Sequence, residues 1–384
     1  MNYASSANLL RKEEITIAPY GTHSKDTRGR LYPEDDHNYR GCYQRDKDRI
    51  LHTTTFRRLE YKTQVFVNDE GDYYRTRLTH TLEVATIGRT LARALGGNED
   101  LTEAICLAHD MGHPPFGHSG EAVLAKKMAN HGGFNHNRQT LRIVTELERR
   151  YNGFKGLNLC YETLEGIAKH ESEYDTMGDL TFNPDLRGSL EAQIANMADE
   201  TAYSAHDLDD GLRSGLLTLE MVQTLGIWRI ISDEIHFAET KLSDLDRHRF
   251  INALTSMEVN DIIEHSEQMI QKNRIESVSD LVHMPYNIVS NGDMMIGLNR
   301  ELKDFLYNNM YRHYRVMRMS AKADMILSRL FDTFLGNPKL LPTHIQEMIP
   351  EKGLEVAICD YIAGMTDRYA VEQYRKLFDP EILP

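Results

Sequence analysis

A helical period in the apolar residues is the feature of this 384-residue chain that most limits its fold. Between residues 78 and 95 apolar side chains recur every three or four positions, and Gly96 and Gly97 then interrupt the pattern. Asn98 is a typical N-cap for a second helix, which has acidic residues in its first turn and ends before Gly112. Because the same period continues over most of the chain from about residue 41, we predict an all-α fold.

Further helices and one small exception complete this prediction. We expect Ser119 to cap a third helix that begins at Gly120. Gln64-Val-Phe-Val, followed by an acidic stretch and two tyrosines, could form a small β-hairpin that ends near residue 74. The remaining helical periods cover residues 137–151, 161–171, 189–210, 216–239, 244–272, 298–335 and 353–377.

Three segments are expected along the chain. Residues 1–40 are polar and rich in turn-forming residues, so we expect an extended N-terminal arm. Residues 41–215 carry the chemically informative motifs and are expected to form the helical core. Residues 216–384 contain no internal repeat, and we expect a C-terminal helical elaboration packed on that core in the same compact unit.

Charge, cysteine content and hydropathy exclude several classes of protein. The chain has 58 acidic and 44 basic residues and a net charge of −14, which argues against a basic nucleic-acid coat. Its 4 cysteines include no CxxC pair, so neither a disulfide framework nor a thiolate zinc site is expected. The segment MNYASSANLLRKEE has no signal-peptide core, and no apolar run is long enough for a membrane span, so we expect a cytoplasmic protein.

Histidines and acidic residues are concentrated in three short motifs, RTRLTH, LAHDMGHPPFGHSGE and MADETAYSAHDLDDG. His80 lies at the start of one predicted helix, His109 and Asp110 lie near the end of the next, and Asp199 lies on a third. Two imidazoles and two carboxylates form a mixed nitrogen and oxygen ligand set. Such a set suits Mn²⁺, Fe, Co²⁺, Ni²⁺ or Zn²⁺ with open positions for water or phosphate, and it suits Ca²⁺ poorly.

Taken together, these motifs resemble the HD-domain superfamily of metal-dependent phosphohydrolases, and within it the deoxynucleoside triphosphate triphosphohydrolases. The likeness is dense between about residues 40 and 213 and includes RDKDRILHTTTFRRLEYKTQVF, RLTHTLEVATIGR, GFNHNRQTLR and SLEAQIANMADETAYSAHDLDDGLRSG. The resemblance implies a helical HD core in which the His80, His109, Asp110 and Asp199 set holds the metal. It also implies hydrolysis of a dNTP to deoxynucleoside and tripolyphosphate, with water attacking the α-phosphorus, and a role in dNTP pool control.

The resemblance also assigns residues to the substrate. Asp199, Tyr203 and Asp207 are spaced i, i+4 and i+8, so they share one face of their helix. By resemblance, Tyr203 packs beneath the deoxyribose and leaves no space for a 2′-hydroxyl group. Asp207 and Gln64 would bond the 3′-hydroxyl, and Arg77 would reach the α-phosphate or the sugar.

The remaining histidines of the motifs are candidates for proton transfer and phosphate binding. Glu121 follows His118 by three residues and can orient its ring, so we assign His118 as the proton carrier and Glu121 as its support. His113 and His136 would stabilise phosphate charge. We expect only a helix-packing role for His170 and for the pair Asp367 and Arg368.

Two alternative functions remain open from the sequence. One is an HD phosphohydrolase of another nucleotide, either a nucleoside monophosphate, a cyclic dinucleotide or an alarmone, and the other is a non-catalytic nucleotide sensor. The sugar-directed set at positions 64, 77, 203 and 207 favours dNTP hydrolysis. By resemblance we further expect a homo-oligomer with dNTP activators at subunit interfaces, Mg²⁺ as an additional ion on the triphosphate, a local DNA site and no membrane partner.

Overall fold

The computed structural model describes residues 6–64, 75–170, 182–237 and 241–383, and it confirms the predicted all-α fold. Three isolated β-bridges account for the β-type backbone pairing in these residues. The α-helices of the described residues are α1 Ser6–Thr16, α2 Cys42–Leu51, α3 Thr54–Arg58, α4 Arg77–Leu95, α5 Glu99–Ala108, α6 Gly117–Lys127, α7 His136–Arg142, α8 Tyr161–Ala168, α9 Leu190–Arg213, α10 Leu219–Val222, α11 Gly226–Glu234, α12 Asp244–Asn273, α13 Val278–Val282, α14 Asp293–Leu306, α15 Tyr314–Gly336, α16 Thr343–Gln346, α17 Ile349–Lys352, α18 Leu354–Ala363 and α19 Asp367–Phe378.

Local capping explains the bounds of the two helices that lead into the site. The Thr76 hydroxyl accepts a hydrogen bond from the Thr79 amide and begins α4, and Gly96 ends it in the left-handed conformation at φ 73°. The Asn98 side chain accepts hydrogen bonds from two amides at the start of α5. The stop at Gly96 and the cap at Asn98 are therefore confirmed.

Other predicted elements differ from the structure. Residues 6–16 form α1, so the expected extended arm is wrong for this segment. α6 begins at Gly117, which places Ser119 inside the helix, where its hydroxyl bonds that of Ser320 at 2.9 Å. The predicted helix over 298–335 is interrupted by a π-helical turn at Tyr307–Tyr311. The predicted hairpin falls on residues 65–74, outside the described residues, and a bridge between Thr63 and Thr76 flanks that segment.

The main core is formed by α4, α5 and α9, which pack against one another, with α2 on the outer side of α5. Leu91, Leu101 and Ile194, one from each of the three helices, are fully buried. This packing removes a large apolar area from water and fixes the relative positions of the three helices. It brings the start of α4, the end of α5 and the middle of α9 to one place.

The C-terminal helices add a second wall to this place. α15 packs against α6, and α18 and α19 pack against α15 through a separate apolar cluster that includes Leu124, Leu327 and Ile358. A third cluster joins the end of α9 to α11, α12 and α14, with Trp228 and Phe250 stacked at 3.7 Å. Among the described residues, no helix is both long and apolar enough to cross a membrane.

Candidate active site

Four side chains from three helical segments converge at the junction of α4, α5 and α9. His80 lies one turn into α4, Asp199 lies on α9, and a 3₁₀ turn after α5 carries His109 and Asp110. His80 Nε2 lies 2.9 Å from Asp199 Oδ1 and 4.0 Å from Asp110 Oδ2. His109 Nε2 lies 3.4 Å from Asp199 Oδ1. The structure therefore brings together the four residues that the sequence predicts as metal ligands.

The donor atoms of this cluster fit a divalent metal. His109 Nδ1 lies 2.6 Å from the Cys106 carbonyl oxygen, so its N–H donates there and Nε2 is the nitrogen that faces the cluster. His109 Nε2 and Asp110 Oδ2 are buried and have no hydrogen-bond partner within the described parts of the chain. Ligand atoms of His80, His109 and Asp110 lie within 4.8 Å of one another. HD domains bind divalent metals, and these residues could hold one.

The oppositely charged side chains of the cluster stabilise one another in their charged forms. Burial opposes the charged imidazole, but Asp110 and Asp199 raise the pKa of His109 to about 9. Burial also opposes the charged carboxylates, but Arg77 holds the pKa of Asp110 well below its usual range and His109 does the same for Asp199. A divalent cation bound to His109 would compete with this proton, so metal affinity should rise with pH.

Arg77 lies closer to the metal ligands than the resemblance implies. Its guanidinium donates to Asp110 Oδ1 at 2.9 Å, and the side chain is only 2% exposed. Gly117 packs against the same guanidinium, since a Cβ at this glycine would lie 3.0 Å from its terminal nitrogen. Arg77 therefore fixes the orientation of a candidate ligand carboxylate, and its contact with substrate stays a prediction.

Three residues that support the metal cluster were not predicted from the sequence. His206 Nδ1 lies 3.1 Å from His80 Nδ1, and its Nε2 lies 2.6 Å from Glu83 Oε2. Burial lowers the pKa of His206 to about 4, and although burial opposes it, the contact with His206 lowers the pKa of Glu83 to about 2. The i, i+3 spacing of His80 and Glu83 was the sequence signal that could have indicated this group. His170, for which we expected only helix packing, also approaches the cluster, because its Nε2 lies 3.5 Å from Asp199 Oδ2.

A second histidine cluster adjoins the first. His113 and His136 stack at 3.7 Å, and His113 Nδ1 lies 2.9 Å from Asp110 Oδ1, which connects the two clusters. Glu121 Oε1 accepts the backbone N–H of His136 at 2.8 Å and lies 2.9 Å from its Nδ1. His118 Nδ1 is farther from Glu121, at 3.5 Å, and its side chain is 54% exposed. Glu121 therefore holds His136 more closely than His118, which differs from the pairing predicted by sequence spacing.

A cavity of about 210 Å³ lies next to the histidines. Tyr203, one helical turn after Asp199, forms part of its wall, and His118 lies on its edge. Tyr311 and residues of α15 in the C-terminal part of the chain supply further lining. The lining residues are Thr63, Gln64, Phe116, His118, Ser119, Tyr203, Tyr311, Val316, Met319, Ser320 and Ala323.

Tyr311 is one of several lining residues that sequence reasoning missed, and it contacts two predicted ones. Its hydroxyl donates to Asp207 Oδ2 and contacts the Tyr203 hydroxyl. Asp207 is fully buried behind the two tyrosines, and burial raises its pKa to about 8. Gln64 Oε1 is also buried and has no hydrogen-bond partner within the described residues. Contact of Gln64 and Asp207 with a sugar stays a prediction, and for Asp207 it requires Tyr311 to move or to relay the bond.

Comparison with known proteins agrees with this geometry. An HD-domain model matches residues 77–204, which contain all four residues of the metal cluster, and a phosphohydrolase-associated domain model matches residues 290–376. A structure of a hypothetical protein from Aquifex aeolicus covers 80% of this chain and 78% of its own at 15% identity, with a TM-score of 0.29, which is too low to support an argument.

Full-length relatives are much closer in sequence. Deoxyguanosinetriphosphate triphosphohydrolase-like proteins share 48% identity over 373 residues in Geobacter metallireducens, covering 96% of this chain and 97% of the relative. Identity is 49% in Ralstonia pickettii, covering 95% of both chains, and 44% in Leptospira interrogans, covering 98% of this chain and 100% of the relative. The chain therefore belongs to the deoxyguanosinetriphosphate triphosphohydrolase-like family of HD-domain hydrolases.

Proposed function

We propose that this protein hydrolyses deoxynucleoside triphosphates to a deoxynucleoside and inorganic tripolyphosphate, and that this activity limits the dNTP pool. The names of the relatives support a triphosphate substrate. The observation that carries the proposal is the position of Tyr203, which lines a cavity one helical turn from Asp199. An aromatic wall directly beside a candidate metal cluster suits the sugar of a nucleotide whose α-phosphate lies over the metal.

The metal cluster would supply the electrophilic part of the reaction. A divalent transition metal held by His80, His109, Asp110 and Asp199 would polarise a phosphoryl oxygen when bound. The chain itself fixes the ligands, because Arg77 holds Asp110 and the Cys106 carbonyl holds the ring of His109.

Selection for a deoxyribose would come from the aromatic side of the cavity. Tyr203 and Tyr311 are linked through their hydroxyl groups, so the two rings form one wall with little freedom to move aside. A ribose 2′-hydroxyl pressed against such a wall would lose its water without gaining a partner, which is costly. The buried Gln64 carbonyl oxygen could accept a bond from the 3′-hydroxyl group, and a site built in this way discriminates strongly against a substrate that lacks it.

His118 is the candidate for proton transfer to the leaving group. Its position on the cavity edge and its exposure allow it to reach a 5′-oxygen, while His113 and His136 lie deeper. Water oxygen would form a new bond to the α-phosphorus as the bond from phosphorus to the 5′-oxygen breaks, and the proton that this water loses would pass to solvent. His118 would deliver the proton to that 5′-oxygen, which departs as the deoxynucleoside hydroxyl.

The test incubates Mn²⁺-loaded protein with each dNTP, singly and mixed, and with the matching ribonucleotides, in water enriched in ¹⁸O. Deoxynucleoside and ¹⁸O-labelled tripolyphosphate are the expected products, because attack at phosphorus leaves the unlabelled 5′-oxygen on the nucleoside. Release of dNMP and pyrophosphate would contradict the proposed reaction, and hydrolysis of a cyclic dinucleotide or an alarmone in place of dNTPs would favour another HD phosphohydrolase.

Two variants distinguish the effect of removing a candidate metal ligand from the general effect of replacing a histidine. His109→Ala removes a candidate metal ligand and should abolish hydrolysis. His131→Ala is the matched control, because this histidine belongs to the same stretch of sequence but is exposed and lies 3.8 Å from Glu355, away from the cavity. It should retain the activity of the unmodified protein.

A further inference from the structure

The turn between α18 and α19 joins the C-terminal helices to two loops that line the cavity, one at Thr63 and one at Phe116. Asp367, the first residue of α19, is 7% exposed. Its Oδ2 accepts hydrogen bonds from the amide and the hydroxyl of Thr63, and its Oδ1 accepts the amide of Phe116 at 2.8 Å. One carboxylate therefore connects two cavity-lining residues that are 53 positions apart in the chain. The helix-packing role predicted for Asp367 is wrong.

The same turn fixes the residue before Thr63. The Lys62 ammonium is completely buried and donates to the carbonyl oxygens of Ala363 and His113. Burial lowers the pKa of Lys62 to about 7. The backbone carbonyl of Lys62 in turn accepts the Arg77 amide at 3.2 Å, at the start of α4. The position of Gln64, directly after this segment, is thus set by contacts with the C-terminal unit on one side and the HD core on the other.

The contact with Phe116 fixes the other loop at a strained point. Phe116 has φ 65°, in the left-handed region that non-glycine residues rarely adopt, so its conformation is strained. Phe116 is the N-cap of α6 and has no capping side chain of its own. The Asp367 carboxylate accepts the hydrogen bond from the Phe116 N–H, and this contact defines where α6 begins. His118, two residues later, is presented to the cavity from the first turn of that helix.

We propose that Asp367 is a positioning residue of the active site, which sets the sugar-facing Gln64 and the proton-carrying His118 in one geometry. Asp367 does not line the cavity, so it acts through Thr63 and Phe116 and not on the substrate. This role rests on the proposed function for its effect on catalysis. The placement of His118 does not depend on which reaction the site performs.

The experiment compares Asp367→Asn with a matched control in the full-length protein. A carboxamide offers one acceptor oxygen in place of two, so it can keep the contact with one loop but not with both. Asp46→Asn is the control, because Asp46 is fully buried and its Oδ2 accepts a backbone amide, from Cys160, and a hydroxyl, from Thr163. Asp46 lies outside the cavity and its Oδ1 pairs with Arg30, so its replacement reports at least the general cost of weakening a buried carboxylate.

The kinetic measurement is kcat/KM for a dNTP and for the matching 2′,3′-dideoxynucleotide, which lacks the 3′-hydroxyl. For Asp367→Asn we expect kcat/KM for the dNTP to fall about tenfold or more, as for loss of a hydrogen bond to a charged group. The dideoxynucleotide should lose less, so the ratio between the two substrates falls. Asp46→Asn should leave that ratio unchanged even if it lowers the melting temperature.

The second measurement is the NMR signal of the His118 Cε1–H in histidine-labelled protein, assigned with His118→Ala and recorded without substrate. Asp367→Asn should shift this signal and Asp46→Asn should not. If the unmodified protein hydrolyses no nucleotide, the proposed function is wrong, while the NMR signal still decides whether Asp367 positions His118. An unshifted signal would overturn the positioning role, and so would an unchanged substrate ratio in an active protein.

Discussion

Replacement of Glu121 by glutamine tests how much the second histidine cluster contributes to the reaction. The Glu121 carboxylate accepts the His136 backbone N–H at 2.8 Å, lies 2.9 Å from His136 Nδ1, and lies 3.5 Å from His118 Nδ1. A glutamine has a single acceptor oxygen, and its NH₂ group would oppose an N–H donor. At least one hydrogen bond to a charged acceptor is therefore lost.

The loss of such a bond costs about 1.5–3 kcal/mol, which corresponds to a fall of about 10- to 150-fold in kcat/KM if the geometry is needed in the transition state. The assay is steady-state hydrolysis of the best dNTP by Mn²⁺-loaded protein, with the melting temperature measured in parallel. We expect the larger part of the loss in kcat, because the imidazoles are needed when charge moves to the leaving group.

The matched control for this prediction is Glu355→Gln. Glu355 also faces a histidine, His131, at 3.8 Å, but both side chains are partly exposed and lie outside the cavity. This variant should keep its kcat/KM. If Glu121→Gln stays within about twofold of the unmodified protein, less than the worth of one such bond, the histidine cluster does not act in the reaction as argued.

Three other changes have defined outcomes. Tyr203→Ala should reduce selectivity for dNTPs over ribonucleotides about tenfold or more, measured as a ratio of kcat/KM values, and unchanged selectivity would refute the sugar wall. Exhaustive chelation should abolish hydrolysis and Mn²⁺ should restore it, whereas full activity without metal would contradict the metal site. Glu258 is fully buried, with both carboxyl oxygens unpaired among the described residues, and burial raises its pKa well above 4.5. Since the protonated form is favoured on folding, stability is lost as pH rises from about 4.5 towards the folded pKa, at up to about 1.4 kcal/mol per pH unit. Glu258→Gln should therefore raise the melting temperature above that of the unmodified protein, and by more at pH 8 than at pH 5. A gain that does not grow with pH would contradict this assignment.

The parts of the molecule that sequence predicts well depend on local interactions. The bounds of α4 and α5 follow from the helical period, the N-caps and Gly96, all within a few residues of the helices themselves. The convergence of the four candidate metal ligands was also predictable, because residue types and helix position restrict which histidines and carboxylates can meet.

The parts that sequence misses depend on contacts between distant segments. Ser119 resembles an N-cap, but α6 begins two residues before it, where Asp367 accepts the Phe116 amide from 251 positions away. Tyr311 reaches Asp207 across 104 positions, and no local pattern distinguishes it from an ordinary core tyrosine. In both cases tertiary packing supplies the partner that decides the local structure.

The basic residues near the site are also paired through contacts with distant segments, which the sequence does not reveal. Between residues 40 and 93 basic side chains outnumber acidic ones, which suggests an attractive surface for a triphosphate. In the structure Arg45 and Arg49 pair with Glu34, and Arg75 pairs with Asp209. Part of this positive charge is therefore neutralised by carboxylates elsewhere in the chain, which a count within one segment cannot detect.

The origin of the cavity lining has a consequence for how such enzymes can change. The segment matched by the HD-domain model holds the candidate metal ligands, whereas Tyr311, Val316 and Met319 come from the segment matched by the phosphohydrolase-associated domain model. Substitutions in the later segment can therefore reshape the pocket without touching a candidate metal ligand. Nucleotide preference in this family could drift while the candidate metal cluster stays constant, and directed evolution for a new substrate should begin on the turn Tyr307–Tyr311 and on α15.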